Sequence, residues 1–343
     1  MTGIATSVFD GLPPYPGGKR RLIRLILALI NDALPHECWR DATFVDPFFG
    51  GGAVSIAAKA AGFQVRAGDI AERSAIVGRG LVANSRHRLD PRHPLRFLES
   101  AKTDHLVAEP AILRQLLGPR RAFARAAWLA LSDQRDAGLD RDLLAIVAIK
   151  LILRSFPLSL PNASDAGHVV AGDYDRLTSA RTSHYLRHAP VTAEVIVRTC
   201  AAVNASVFAG RATFTKGSAL DLLAADADVA VLDPPYPGTQ SYERAFRLLD
   251  DYLGDPPGET NPYSGSSPPI DELLDACRHI PLVVLCAGNA QMDEEGWAAL
   301  VGRHRRVLKS IAVPYRHYAA VASERKNATN CEFLILSSNE ARR

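Results

Sequence analysis

A short apolar stretch, three glycines, an alanine-rich segment and a second apolar stretch follow one another early in the chain. Thr43–Val45 reads as a buried strand, Gly50–Gly52 as a tight turn, and Ala53–Ala61 as a helix. Phe63–Ala67 then predicts a second strand. A strand, a helix and a strand within so few residues indicate a βαβ unit, and therefore a parallel sheet.

The same α/β character returns in the last third of the chain. Apolar runs at Val229–Leu232 and Pro281–Cys286 predict buried strands, and Tyr242–Leu253 predicts a helix between them. Val307–Ile311 and Glu332–Leu336 predict two closing strands. A long loop rich in Pro, Gly and Ser is expected after the helix, at residues 256–269.

The middle of the chain is different. It is dominated by helical patterns, which we place at Ala108–Leu117, Arg121–Leu131 and Asp142–Arg154. We therefore predict an α/β, Rossmann-like fold with a mostly parallel central sheet and a largely helical inserted domain. The expected division is a first catalytic part at 1–84, an insertion at 85–200 and a second catalytic part at 201–343.

Composition and charge exclude several classes of protein. Apolar residues make up 47% of the 343 residues, which excludes a disordered or fibrous chain. The formal net charge is only +3, but ten Lys or Arg against four Asp or Glu lie between Arg79 and Arg125. Such an excess suits a phosphate-facing surface, although a solvated helical face would have it too.

The five cysteines form no CxxC pair, so a disulfide framework or a zinc site is not expected. No apolar run is long enough to span a bilayer, and the N-terminus does not resemble a signal peptide. We therefore expect a cytoplasmic protein without a membrane partner or a metal site.

Two segments predict a nucleotide-type pocket. In DPFFGGGAV, Asp46 ends a strand, and Gly50 and Gly52 let the backbone approach a ligand at a helix N-terminus. Asp69 ends the next strand, where an acid can accept hydrogen bonds from ribose hydroxyls. A tight structural turn and a helix N-cap are the alternative interpretations of the two segments.

The strongest motif is DPPY, which directly follows the apolar run VAVL. Pro234 and Pro235 fix the backbone and remove two N–H donors, which leaves a carbonyl free to accept beside the carboxylate of Asp233. Two acceptors that converge in this way suit a planar amine with two N–H donors. Tyr236 supplies an aromatic face on which a base can stack. A proline-rich turn capped by an acid is the structural alternative.

Several motifs in this order resemble the Dam-type, alpha-group DNA adenine methyltransferases. The resemblance implies S-adenosyl-L-methionine as cofactor, double-stranded DNA as substrate, the methyltransferase form of the Rossmann-like fold and a target-recognition role for the insertion. The motifs are YPGGK at 15–19, FVDPFFGGGAV at 44–54, GDI at 68–70, DPPYPGTQSY at 233–242, and a tail with Arg325, Lys326 and EFLIL.

The resemblance also implies roles for single residues on the cofactor side. Tyr15 and Lys19 would contact the cofactor, with Lys19 offering its charge to the methionine carboxylate. Asp46 would orient the glycine loop or meet the methionine amine, and Asp69 would hold the ribose. Asp221 would lie near the cofactor's adenine.

On the substrate side, Asp233 would stand between the cofactor and the target amine, and Tyr236 would stack an adenine flipped out of the duplex. The insertion would carry the DNA contacts. Its candidate phosphate partners are Arg86, Arg88, Arg92, Arg96, Arg120, Arg121 and Arg125, and Arg154 is either a base reader or a helix-end charge.

Other functions fit parts of the pattern. The 4-amino group of cytosine has the same local shape, an RNA or a protein glutamine could be the acceptor, and a cofactor-binding but inactive DNA-binding module would keep the same motifs. The missing GxGxxG argues against a nicotinamide oxidoreductase.

A monomer or weak dimer is expected. A cognate restriction endonuclease, a phage origin and a regulatory role all fit the sequence.

Overall fold

The computed structural model describes residues 6–15, 17–98, 110, 113, 118–133, 138–155, 191–236, 242–255, 261–265, 267–314 and 330–339. The predicted helix Ala108–Leu117 falls almost wholly outside them, as do Arg325 and Lys326.

The strands of the described chain form one sheet. They are β1 (Thr43–Asp46), β2 (Gln64–Asp69), β3 (Ala212–Lys216), β4 (Val229–Leu232), β5 (Leu282–Gly288), β6 (Arg306–Pro314) and β7 (Cys331–Ser338). The helices flank them. They are α1 (Ile23–Ala33), α2 (Ala53–Ala61), α3 (Glu72–Val77), α4 (Gly118–Ser132), α5 (Leu139–Ser155), α6 (Ala193–Ala205), α7 (Ala219–Leu223), α8 (Tyr242–Leu253), α9 (Ile270–Ala276) and α10 (Glu294–Gly302).

The order of the sheet confirms the predicted mostly parallel α/β fold. It runs β3-β2-β1-β4-β5-β7-β6, with β7 antiparallel to both of its neighbours and the strands from β3 to β5 parallel. The chain order reverses between β1 and β4. In an open parallel sheet, the carboxyl ends of the strands at such a reversal form the crevice where ligands bind.

Alternate residues of each strand face opposite sides of the sheet. On one side Phe44 and Val231 pack in a core with α1, α2 and the helices of the middle block. On the other side Val45 and Leu232 pack with α9 and with Trp297 of α10. Both faces of the sheet are therefore covered, which explains why its central strands read as continuous apolar runs.

The described helices of the middle block share the core of the sheet. Ile146 on α5 lies so close to Gly80 that a Cβ there would stand 2.6 Å from its Cδ1. Asp142 on the same helix accepts two hydrogen bonds from Arg79, each 2.8 Å long. The described part of this block is mainly helical, as predicted, while the boundaries at 85 and 200 remain a prediction.

One strand, β3, has no counterpart in the sequence-based prediction. Its residues, ATFTK, are all half-buried or exposed, so they lack the apolar run that marks the central strands. In the long loop after α8, Pro262–Ser264 form a 3₁₀ turn capped by Asn261. Within the described residues, no helix has the length and apolarity needed to cross a bilayer.

Candidate active site

A cavity of about 580 Å³ opens at the carboxyl ends of β1, β2 and β4. Its lining includes six residues that the sequence singled out, namely Tyr15, Lys19, Gly50, Asp69, Asp233 and Pro235. They come from four segments spread over more than 200 residues of chain. The fold therefore brings the glycine-rich turn and the DPPY tetrapeptide to one place.

The glycine turn is shaped by Tyr15. A Cβ on Gly50 would meet the tyrosine ring at 3.1 Å, and one on Gly51 would stand 2.6 Å from the tyrosine Cβ. Gly50 also has a φ of +52°, which disfavours other residues. Gly52, with a φ of +80°, lies outside the cavity lining and begins α2. The turn therefore needs its glycines both for conformation and for space.

Asp69 joins two backbone turns. Its Oδ2 accepts the N–H of Gly50 at 2.8 Å, and its Oδ1 accepts the N–H of Ala71 at 3.0 Å. Burial raises the pKa of Asp69, although the two N–H groups and the nearby Arg73 act in the opposite direction. The acid therefore lines the cavity and also holds the turn that closes it.

Asp46 lies beneath the cavity and does not line it. It is 2% exposed, and its Oδ2 accepts a hydrogen bond of 2.6 Å from the hydroxyl of Ser55 on α2. Burial raises the pKa of Asp46 to about 7, against the lowering effect of the Ser55 hydroxyl. Of the two roles expected for Asp46, this position favours orienting the glycine turn.

Lys19 is buried between two acids. Its Nζ lies 2.9 Å from Oδ2 of Asp233 and 3.3 Å from Oε1 of Glu332, and it donates to the Gly17 carbonyl at 3.0 Å. Burial alone would lower the pKa of Lys19, but the surrounding acids hold that pKa well above its usual value. Its charge is thus directed at Asp233, whereas the resemblance assigned it to a cofactor carboxylate.

The tetrapeptide follows β4 and belongs to no helix or strand. Asp233 and Pro235 line the cavity, whereas Pro234 is buried beside it. Burial raises the pKa of Asp233, and the facing ammonium of Lys19 opposes that rise. Tyr236 is half-buried and lies under Lys19, whose Nζ is 4.9 Å from the ring centroid. Its hydroxyl donates to Glu332 at 3.2 Å.

The sequence motifs did not predict two charged contacts near the cavity, one made by Glu332 and one between Arg73 and Asp250. Glu332 is the acid at the start of an otherwise apolar strand, which is the one signal that could have singled it out. Arg73 on α3 and Asp250 on α8 both line the cavity and pair at 2.6 Å. Burial raises the pKa of Asp250 to about 6, against the effect of Arg73. Nothing in the local sequence links those two residues.

Asp221 is not brought to the cavity. It is exposed on α7, whereas Ser218 and Ala219 at the start of that helix line the cavity. A carboxylate in this position faces solvent. The part of this segment nearest a bound ligand is therefore its backbone turn.

The candidate DNA-binding arginines occupy varied settings. Arg86 is exposed, as is Arg96, and Arg125 is partly buried. Arg88 is exposed too, but its guanidinium donates to the carbonyls of Asn204 and Val207. Arg92 pairs with Asp90 at 2.6 Å. The side chains of Arg120, Arg121 and Arg154 lie outside the described residues, although their backbone is helical.

The fold is a mostly parallel α/β sheet with a cavity that brings the glycine turn and the DPPY tetrapeptide together. The family model of the D12 class N6 adenine-specific DNA methyltransferases matches residues 15–255, more than half of the chain. The chain belongs to this family and is an enzyme that methylates the N6 amine of adenine in DNA. Adenine is thereby selected over cytosine, which DPPY alone left open. No curated protein sequence matches the chain.

Proposed function

We propose that the enzyme transfers the methyl group of S-adenosyl-L-methionine to an adenine flipped out of double-stranded DNA, with Asp233 to Tyr236 as the amine clamp. The observation that carries this proposal is that Asp233 lines the same cavity as Gly50 and Asp69. A methyl donor and an amine can then be held side by side.

The cavity has the properties that this cofactor needs. About 580 Å³ lies within the usual range of roughly 300–1,000 Å³ for small-molecule pockets. Gly50 and Gly51 leave backbone where a side chain would collide with Tyr15. Asp69, which lines the cavity, would accept ribose hydroxyls, and Tyr15 and Gly50 would complete the contacts. When bound, S-adenosyl-L-methionine supplies an electrophilic methyl group on a sulfonium.

The residues of the clamp act by positioning and by charge. An adenine inside a duplex cannot reach the cavity, and flipping it out costs a few kcal/mol. The Asp233 carboxylate and the Pro234 carbonyl would accept the two amine hydrogens, which draws the nitrogen lone pair out of conjugation with the ring. Tyr236 would stack the base. As the nitrogen becomes positive, the negative charge of Asp233 stabilises it.

Replacement of Asp233 tests the proposal. Asp233→Ala should abolish transfer of labelled methyl groups to DNA, while calorimetry still detects binding of S-adenosyl-L-methionine. Asp271→Ala, which removes an exposed acid on α9, is the matched control and should keep the native rate. A near-native rate for the Asp233 variant would contradict the clamp. Loss of both methyl transfer and S-adenosyl-L-methionine binding in Asp271→Ala would show that this control variant has a folding defect.

We also propose that arginines of residues 85–200, other than Arg88, whose guanidinium donates to backbone carbonyls, contact the phosphates of DNA. Their excess of positive charge over this block supports the assignment. A cognate restriction endonuclease would act on the same DNA site as a separate protein. Sequencing of methylated bases in cells that express the enzyme, beside cells that express Asp233→Ala, gives the target sequence.

A further inference from the structure

Glu332 is a buried acid on a central strand, far along the chain from the DPPY tetrapeptide. It is 6% exposed and lies in β7, opposite Gly288 of β5 and Val313 of β6. It also lies beyond residues 15–255, the part matched by the family model. An ionised carboxylate inside a sheet is costly unless it is paired and hydrogen-bonded.

The partners of Glu332 are Tyr236, which is the stacking ring of the clamp, and Lys19, which pairs with the clamp's acid. Its Oε1 accepts the hydroxyl of Tyr236 at 3.2 Å and lies 3.3 Å from Nζ of Lys19. The same Nζ stands 2.9 Å from Asp233. A single acid is therefore tied to the stacking ring directly and to the amine acceptor through one lysine.

We propose that Glu332 is a positioning residue for methyl transfer, which fixes the ring of Tyr236 and shares the charge of Lys19 with Asp233. This inference rests on the proposed amine clamp. Without Glu332, the lysine would be paired with Asp233 alone. Asp233 would then be a weaker acceptor for the adenine amine, because a fully paired carboxylate has less negative charge to offer.

Space and charge around the clamp support this role. A Cβ on Gly288 would stand 2.8 Å from the Tyr236 ring, so β5 already confines the ring on one side. The hydrogen bond to Glu332 fixes the hydroxyl end of the same ring. Titratable groups that face Asp233 come from five segments, and they are Lys19, Asp46, Tyr236, Cys286 and Glu332. Two of these five groups, Asp46 and Glu332, are carboxylates like Asp233 itself.

Glu332→Gln tests the inference, since it removes the charge and keeps an oxygen that can accept from Tyr236. We expect the single-turnover rate of DNA methylation to fall by about tenfold or more, the size of losing one charged hydrogen-bond partner. Binding of S-adenosyl-L-methionine should change less than about twofold. The negative charge of Glu332 raises the pKa of Asp233, so the acidic limb of the rate profile should move to lower pH.

Three further variants make the outcome decisive. Glu332→Asp, which restores the charge, should recover part of the rate. Glu295→Gln, an exposed acid on α10, should match the wild type. A native rate for Glu332→Gln, or a lower rate that follows loss of folded protein with an unshifted pH profile, overturns the inference. Activity in Asp233→Ala would instead overturn the amine clamp itself.

Discussion

The carboxylate of Asp69 accepts the backbone N–H of Gly50 at 2.8 Å, so the end of β2 is tied to the turn that follows β1. Gly50 follows β1 and Asp69 ends β2, the parallel neighbour of β1, and both residues line the cavity. One acid thus sets the shape of the glycine turn and supplies an acceptor to whatever the turn holds. Loss of that acid should affect binding more than stability.

We expect Asp69→Ala to weaken binding of S-adenosyl-L-methionine by about tenfold or more, because a hydrogen bond to a charged group contributes about 1.5–3 kcal/mol. Isothermal titration calorimetry measures the change. Asp221→Ala is the comparison, since Asp221 is exposed outside the cavity, and its affinity should stay within about twofold. Equal losses in the two variants would show that the exposed acid is also a ligand contact.

Gly51→Ala should impair the cofactor site through sterics alone. The new Cβ would lie 2.6 Å from the Cβ of Tyr15 and 2.9 Å from its Cγ, so the tyrosine must shift. We expect a cofactor affinity lower by about tenfold, since Tyr15 lines the cavity. Gly302→Ala, where a Cβ meets nothing within 4 Å, should bind normally. Full affinity in the Gly51 variant would exclude Tyr15 as a cofactor contact.

Asp46 should make stability depend on pH. The pKa of Asp46 is about 7 in the folded protein, against an ordinary value of 3.8 in the unfolded chain. Folding therefore favours the protonated acid. The stability it contributes is present below about pH 4 and is lost as the pH rises through 7, by at most about 1.4 kcal/mol per pH unit. Asp46→Asn has no carboxyl group at this position, so it should not show this loss of stability. Urea unfolding of both proteins between pH 4 and 8 should therefore give a difference that changes with pH and levels off above 7.

Arg86→Ala should weaken DNA binding to a similar degree on every sequence and reduce the slope of log affinity against log salt by about 1. Arg88→Ala is the matched control, because that guanidinium bonds to the carbonyls of Asn204 and Val207. We expect the control to keep the slope and to lower the unfolding temperature. Fluorescence anisotropy at several salt concentrations separates the two effects, and an unchanged slope in the Arg86 variant would remove it from the interface.

The sequence predicted those parts of the fold and site that depend on neighbouring residues. The run of apolar residues before Asp233 and the glycines after Asp46 are local signals, because strand burial and turn conformation are set within a few residues. That both would meet was implied by the family resemblance, which set Asp233 between the cofactor and the target amine.

Contacts between remote side chains lay beyond that kind of reasoning. The approach of Lys19 to Glu332 depends on the position of β7 between β5 and β6, which no local pattern encodes. The pairing of Arg73 with Asp250 likewise depends on how α3 meets α8. Asp221 failed to reach the cavity for a simple reason: one turn of helix separates it from Ser218, which does line the cavity.

The order of the strands has a consequence for biosynthesis. β1 is flanked by β2 and β4, yet the ribosome makes the whole middle block before β4 emerges. Until then one edge of β1 is unpaired, and its apolar side chains Phe44 and Val45 lack their final neighbours. A pair of parallel strands is not stable alone. The helices α1 and α2 share the core with Phe44 and are made before the middle block, whose helices then extend the cover over that face of the nascent sheet before β4 is made.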